Sequence, residues 1–242
     1  MTLKFAYASS IQGRGSKSRV LLKHAAVDCD FTSLFETPFI QTPFHQLLDW
    51  HTEQKPELQK TFPLVNLPYL IDENETTGEI SKVGGEFPIL HYLSAKLGYY
   101  GENSAEKAAV LSLSDYLVDM DKSCLSFQSV YAIPKTEPRH PAIENVKNVL
   151  MPKFLKNVEN QIKSSGKVFS VSDTVSLADI LLVLVVHKFR LFWKSVLKGF
   201  PEVERVYLKL MANERIRSQV EAEFLLPVTA QYAQCLKIVK NH

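Results

Sequence analysis

Two rhythms of apolar and polar positions run along the chain, and one gives way to the other near residue 100. Before that point, short strand-like runs alternate with amphipathic segments. "LKFAYAS" reads as a strand, the Gly-containing "IQGRGSKS" as a loop, and "SRVLLKHAAVD" carries a helical apolar face, so the three make a strand-loop-helix unit. A polar stretch without clear periodicity covers about 36 to 61. "NLPYLID" and "EISKV" then flank the turn "ENETTGE" and predict a hairpin. Gly84 and Gly85 lead into "EFPILHYLSAKLG", where Pro88 suits a first helical turn, Ile89, Leu90, Leu93 and Leu97 make the stripe, and Gly98 ends it. One residue disturbs the pattern. Pro68 has no N–H for a sheet partner, yet it sits inside the apolar run "FPLVNLPYLID".

Beyond about residue 104 every segment reads as helix. Val110, Leu111, Ser114, Leu117 and Val118 recur at helical spacing within 106–127, and 143–162 repeats apolar residues every three or four positions, with a kink expected at Pro152. "SLADILLVLVVHKFRLFW" predicts a nearly all-apolar buried helix, and "FPEVERVYLKLMANERIRSQVEA" supplies two shorter ones. Ser176 followed three residues later by Asp179 is the spacing of a reciprocal helix cap, a structural role for that carboxylate. The change of pattern near "YYGENSAE" puts a domain boundary at about residue 100, with 1–100 mixed and 101–242 all-helical.

Composition narrows the functions. The 242 residues are 45% hydrophobic and 22% charged, with a formal charge of +2 and no basic block interleaved with aromatics, which argues against a nucleic-acid groove. The longest strongly apolar stretch, Ile180 to Val186, falls far short of the roughly 20 residues of a membrane span. Cys29, Cys124 and Cys235 form neither a disulfide framework nor a zinc spacing, the seven histidines show no metal-ligand motif, and "QGRGSKS" lacks the ending of a phosphate loop. With no secretory pattern at the start, a cytoplasmic protein without metal or nucleotide is expected.

A mixed half carrying "FPLVNLPYLID" and "ILHYLSAKLGYYGE", followed by a helical half carrying "VSDTVSLADILL" and "GFPEVERVYLKLMANERIRSQVEAEFLLP", resembles the cytosolic glutathione transferases, closest to their mu, alpha, pi and sigma group. The likeness covers nearly the whole chain. It implies a thioredoxin-like N-terminal domain, an all-helical C-terminal domain, a homodimer, and glutathione as co-substrate for attack on small electrophiles. It also implies that Pro68 follows a cis bond, leaving the N–H and C=O of Leu67 free to pair with an extended peptide.

Glutathione reacts as its thiolate, and at an ordinary thiol pKa of about 8.5 only roughly 3% is ionised at pH 7. A fixed hydroxyl donor favours the anion. The resemblance puts that donor at Tyr7, with Ser9 or Ser10 as the alternative because the first loop is one residue longer than the family's; an aromatic filling the space beneath the loop is the other reading of Tyr7. Trp50 and Lys55 match the pair that meets the glycine carboxylate, against a core tryptophan and a solvated lysine. The resemblance also implies that Asn66, Leu67 and Pro68 line the peptide; Asp119 matches an aspartate that reaches the γ-glutamyl amine across a dimer interface, against a helix-face charge beside Asp121, and Tyr131 matches a tyrosine over the electrophile, against aromatic core filling. The departure is at Gly85 and Glu86, where the family has Gln-Ser or Glu-Ser holding the γ-glutamyl carboxylate at a helix N-terminus. A carboxylate there repels the ligand's own unless it turns away, so a non-catalytic binding or structural subunit of the same fold is the alternative function.

Overall fold

The computed structural model describes residues 2–7, 12–33, 50–124 and 144–226. The chain divides into two compact units, one holding residues up to Leu97 together with the described residues from Glu221 onward, the other holding Gly98–Val220.

The first unit is built on a mixed four-stranded sheet of order β2-β1-β3-β4, from β1 (Thr2–Tyr7), β2 (Cys29–Ser33), β3 (Tyr69–Glu73) and β4 (Ile80–Gly84). β1 runs parallel to β2 and antiparallel to β3, and β3 is antiparallel to β4. Leu3, Phe5 and Leu70 are buried in the strands, and Val20, Leu21 and Leu22 of α1 (Ser16–His24) and Ile89, Leu90 and Leu93 of α3 (Glu86–Leu97) are buried in the helices. Asp72, buried on β3, is held by Lys96 and by the Tyr92 hydroxyl (2.5 Å) of α3, which fixes that helix against the sheet. The edge strand β2 has no counterpart in the sequence pattern. "CDFTS" is short, and its neighbouring Asp30 and Phe31, the latter 49% exposed, both face solvent, so these positions carry no alternation. A single π-helical turn (Trp50–Gln54) running into the five-residue α2 (Lys55–Gln59) occupies part of the polar stretch.

The second unit contains α4 (Ser104–Cys124), α5 (Met151–Ser165), α6 (Leu177–Phe192), α7 (Pro201–Ala212) and the first residues of α8 (Glu214–Leu225). α6 is buried along almost its whole length from Leu177 to Val186. The Asp179 carboxylate starts it, accepting the Ser176 N–H (2.8 Å), the Ser176 hydroxyl (2.7 Å) and, on its other oxygen, the Ser170 N–H (3.0 Å). Glu159 of α5 does the same for α7, taking the N–H groups of Glu202 (2.9 Å) and Val203 (3.0 Å). The kink expected at Pro152 takes another form: the chain makes a wide π-turn over Val146–Leu150, and α5 starts at Met151 with Pro152 in its first turn. A proline there has no N–H to lose and avoids the clash it would cause deeper in a helix.

Candidate functional site

The site grows from the end of β1. Ala6 faces Tyr69 across the antiparallel pair, so one step further on the register brings Tyr7 beside Pro68. The Leu67–Pro68 bond is cis. The Pro68 C=O accepts the Gly85 N–H at 2.7 Å, while neither the N–H nor the C=O of Leu67 is paired among the described residues. The two glycines that follow β4 have separate reasons. A Cβ at Gly84 would stand 2.8 Å from the Leu64 carbonyl, and Gly85 adopts φ +97, a conformation that side chains strain.

Tyr7 is overlaid by a turn made for it. The Arg14 N–H donates to the Tyr7 Oη at 2.9 Å. Gly13 and Gly15 lie so close to the ring that a Cβ on Gly15 would meet it at 2.5 Å, and one on Gly13 would collide with the hydroxyl. Burial pushes the phenol pKa above its usual value, and the Arg14 amide and the Arg19 guanidinium, 5.9 Å from the ring centroid, pull the other way. The raised pKa keeps the proton on, and the amide takes one lone pair. The hydroxyl therefore has a proton to give and no tendency to lose it.

Glu86, the first residue of α3, neither turns into solvent nor stands alone. Its Oε1 lies 2.5 Å from Lys17 Nζ of α1, with the two side chains 12% and 15% exposed. The resemblance singled out Glu86 but missed Lys17, because the partner lies 69 positions away. The pair is neutral as a unit, which changes the electrostatics expected from the carboxylate alone.

The remaining candidates are distributed unevenly. Trp50 is 3% exposed, stacked on Tyr69 (6.2 Å, 15°) in a cluster with Phe62 and Val65, against which Leu67 also packs; Lys55 is half-buried and Asn66 exposed. The indole thus supports the residue that offers its backbone. Asp119, on α4, is exposed and unpaired among the described residues, whereas its neighbour Asp121 is buried against Lys188 at 2.5 Å. Ser9, Ser10 and Tyr131 lie outside the described residues. No group of three or more potential metal ligands occurs among the described residues, and no helix there is long and apolar enough to cross a membrane.

Several known proteins similar to this chain carry the name of one family. A family model described as "Glutathione S-transferase, C-terminal domain" matches residues 120–223. A "Glutathione S-transferase" of Antechinus stuartii is 26% identical over 192 residues, 79% of this chain and 76% of that one. A "Glutathione S-transferase Mu 6" of Mus musculus is 24% identical and is matched over 90% of both chains. Among solved structures, the glutathione S-transferase from Ascaris lumbricoides superposes with a TM-score of 0.67 at 21% identity, covering 92% of this chain and 98% of that one. The Pi-class enzyme of Onchocerca volvulus gives 0.68 at 17% identity over 95% and 98%.

Proposed function

The chain is a member of the cytosolic glutathione transferase family, and on that premise we propose that its first unit binds glutathione and delivers the thiolate to small electrophiles. The unpaired N–H and C=O of Leu67 take the cysteinyl backbone of the peptide as an added strand would. The sulfur then lies by Tyr7, whose O–H donates to it. The thiol proton leaves to solvent, the sulfur lone pair forms the new bond to the electrophilic carbon, and the electrons of the broken bond depart with the leaving group or remain on the adduct. Tyr7 keeps its proton throughout, so it acts as hydrogen-bond donor and not as base.

The observation that carries this reading is the Arg14 N–H on the Tyr7 oxygen. A tyrosine that only filled space would be satisfied by giving its proton to an acceptor, whereas the described residues offer this oxygen a donor and its proton no acceptor. Lys17 supports the reading as well, since it cancels the charge by which Glu86 would repel the γ-glutamyl carboxylate. A second reading, a binding or structural subunit that has kept the fold without the chemistry, draws on the same residues, because Glu86 stands where a serine hydroxyl would meet the ligand.

The two readings separate in one experiment: retention of the folded protein on immobilised glutathione, together with turnover of a chloronitrobenzene. Retention with turnover is expected. Failure of both in a folded preparation would leave the subunit reading.

A further inference from the structure

Helix α8 carries four exposed charges, Glu214, Arg215, Arg217 and Glu221, and one charge that is wholly buried, Glu223. A carboxylate at 0% exposure must be paired, and this one is held in a fork: Arg19 Nε lies 2.5 Å from Oε1 and Nη2 2.6 Å from Oε2. Stability alone does not account for the pair, because well-packed apolar side chains of similar volume serve as well or better at such sites. The same guanidinium has further work. Its Nη2 donates to the Gln12 C=O at 3.1 Å, and that carbonyl, which also accepts the Ser16 N–H at 3.2 Å, opens the turn whose Arg14 amide meets the Tyr7 oxygen. An unbroken series of contacts thus runs from a buried carboxylate at residue 223 to the phenol at residue 7.

We propose that Glu223 is a positioning residue for the Tyr7 hydroxyl: by fixing the Arg19 guanidinium it holds the Gln12–Gly15 turn, and with it the Arg14 amide, against the phenol oxygen. The inference rests on the reading of Tyr7 as the sulfur's donor. The charges that act on Tyr7 are Arg14, Arg19 and Glu86, the last paired with Lys17. Two roles for Glu223 therefore predict opposite signs. Were it only a nearby negative charge, neutralising it would raise the positive potential at Tyr7 and make both phenol and bound thiol more acidic. If it positions the turn, neutralising it loosens the Arg14 amide, and both become less acidic.

The test uses the full chain with Glu223→Gln and, because a broken buried pair can prevent folding, Glu223→Asp, which keeps both charges and only shortens the reach to Arg19. The ultraviolet absorbance of the bound thiolate is followed against pH. An apparent thiol pKa higher by about one unit than in the unmodified protein, a tenfold smaller thiolate fraction well below that pKa, is the expected result in either variant. A second readout needs no glutathione: the titration of the Tyr7 phenol itself, isolated by difference from Tyr7→Phe, should move up in Glu223→Gln. If the unmodified protein binds no glutathione, the functional reading fails while the phenol titration still decides the positioning claim. An unchanged or lowered phenol pKa in the folded variants would overturn it.

Discussion

Replacing Lys17 by methionine strips Glu86 of its counter-charge while keeping the aliphatic bulk of the side chain. The pair joins Lys17 Nζ and Glu86 Oε1 at 2.5 Å with side chains 15% and 12% exposed, so neither the bulk-water nor the dry-interior limit applies. At an effective dielectric of about 20, two bare carboxylates set about 6 Å apart oppose each other by about 3 kcal/mol, the scale for Glu86 against a carboxylate bound at the start of α3. Residual solvent and salt reduce this to about 1–2 kcal/mol, or roughly tenfold in affinity. Titration calorimetry of glutathione into Lys17→Met should therefore show weakening of about that size, smaller at high salt. Glu86→Ser should act in the opposite direction, tightening binding several-fold, because it frees Lys17 and restores a hydroxyl at the helix start. The double variant should fall near the unmodified protein. An affinity for glutathione that is unchanged or improved in Lys17→Met would mean that the pair does not face the ligand, and the electrostatic argument would fall with it.

Two further outcomes concern stability. Asp179→Ala removes an acceptor shared by the Ser170 and Ser176 N–H groups and the Ser176 hydroxyl in a fully buried place, and should cost about 3–5 kcal/mol in urea unfolding; a loss under about 1 kcal/mol would show that the cap is dispensable. At the surface, Lys167 pairs with both Glu106 and Asp173. The Glu106 carboxyl is held below its usual value by the Glu102 N–H and by Lys167, and that of Asp173 by Lys167 and the Val168 N–H. The unfolded chain then binds more protons than the folded one in the carboxylate range, so this part of the stability is present at neutral pH and is lost as pH falls through the depressed values. Lys167→Met should flatten the rise of the urea midpoint between acid and neutral pH, and an unaltered slope would contradict the assignment.

The parts that were legible in the sequence are those where one local rule acts alone. The period of α6, the Ser176–Asp179 spacing, Pro88 in the first turn of α3 and Gly98 at its end each follow from neighbours within a few positions. Pro68 was legible as an anomaly, and its cis bond followed from resemblance, not from the chain's own pattern. β2 escaped because a half-exposed edge strand has no obligatory alternation, and the turn at Trp50 because tertiary packing on Tyr69, not periodicity, holds it. In the candidate site, Tyr7 and Glu86 were singled out through the resemblance, the first as a match and the second as a departure. Their partners were not: Arg14 acts through its backbone, which no side-chain pattern reveals, and Lys17 and Glu223 reach their sites across 69 and 204 positions. The glycines at 13 and 15 read as a loop signal; that they clear room for a phenol is a property of the folded chain.

The proposed reaction depends on the Tyr7 hydroxyl holding sulfur as an anion. The direct measurement is a pH titration, by thiolate absorbance, of glutathione bound to the unmodified protein and to Tyr7→Phe. The account predicts an apparent pKa about two units below that of the free thiol in the first, so that roughly three-quarters is ionised at pH 7, and a return towards about 8.5 in the second. Bound glutathione that titrates like the free peptide in both, or a pKa equally low without the hydroxyl, would contradict it.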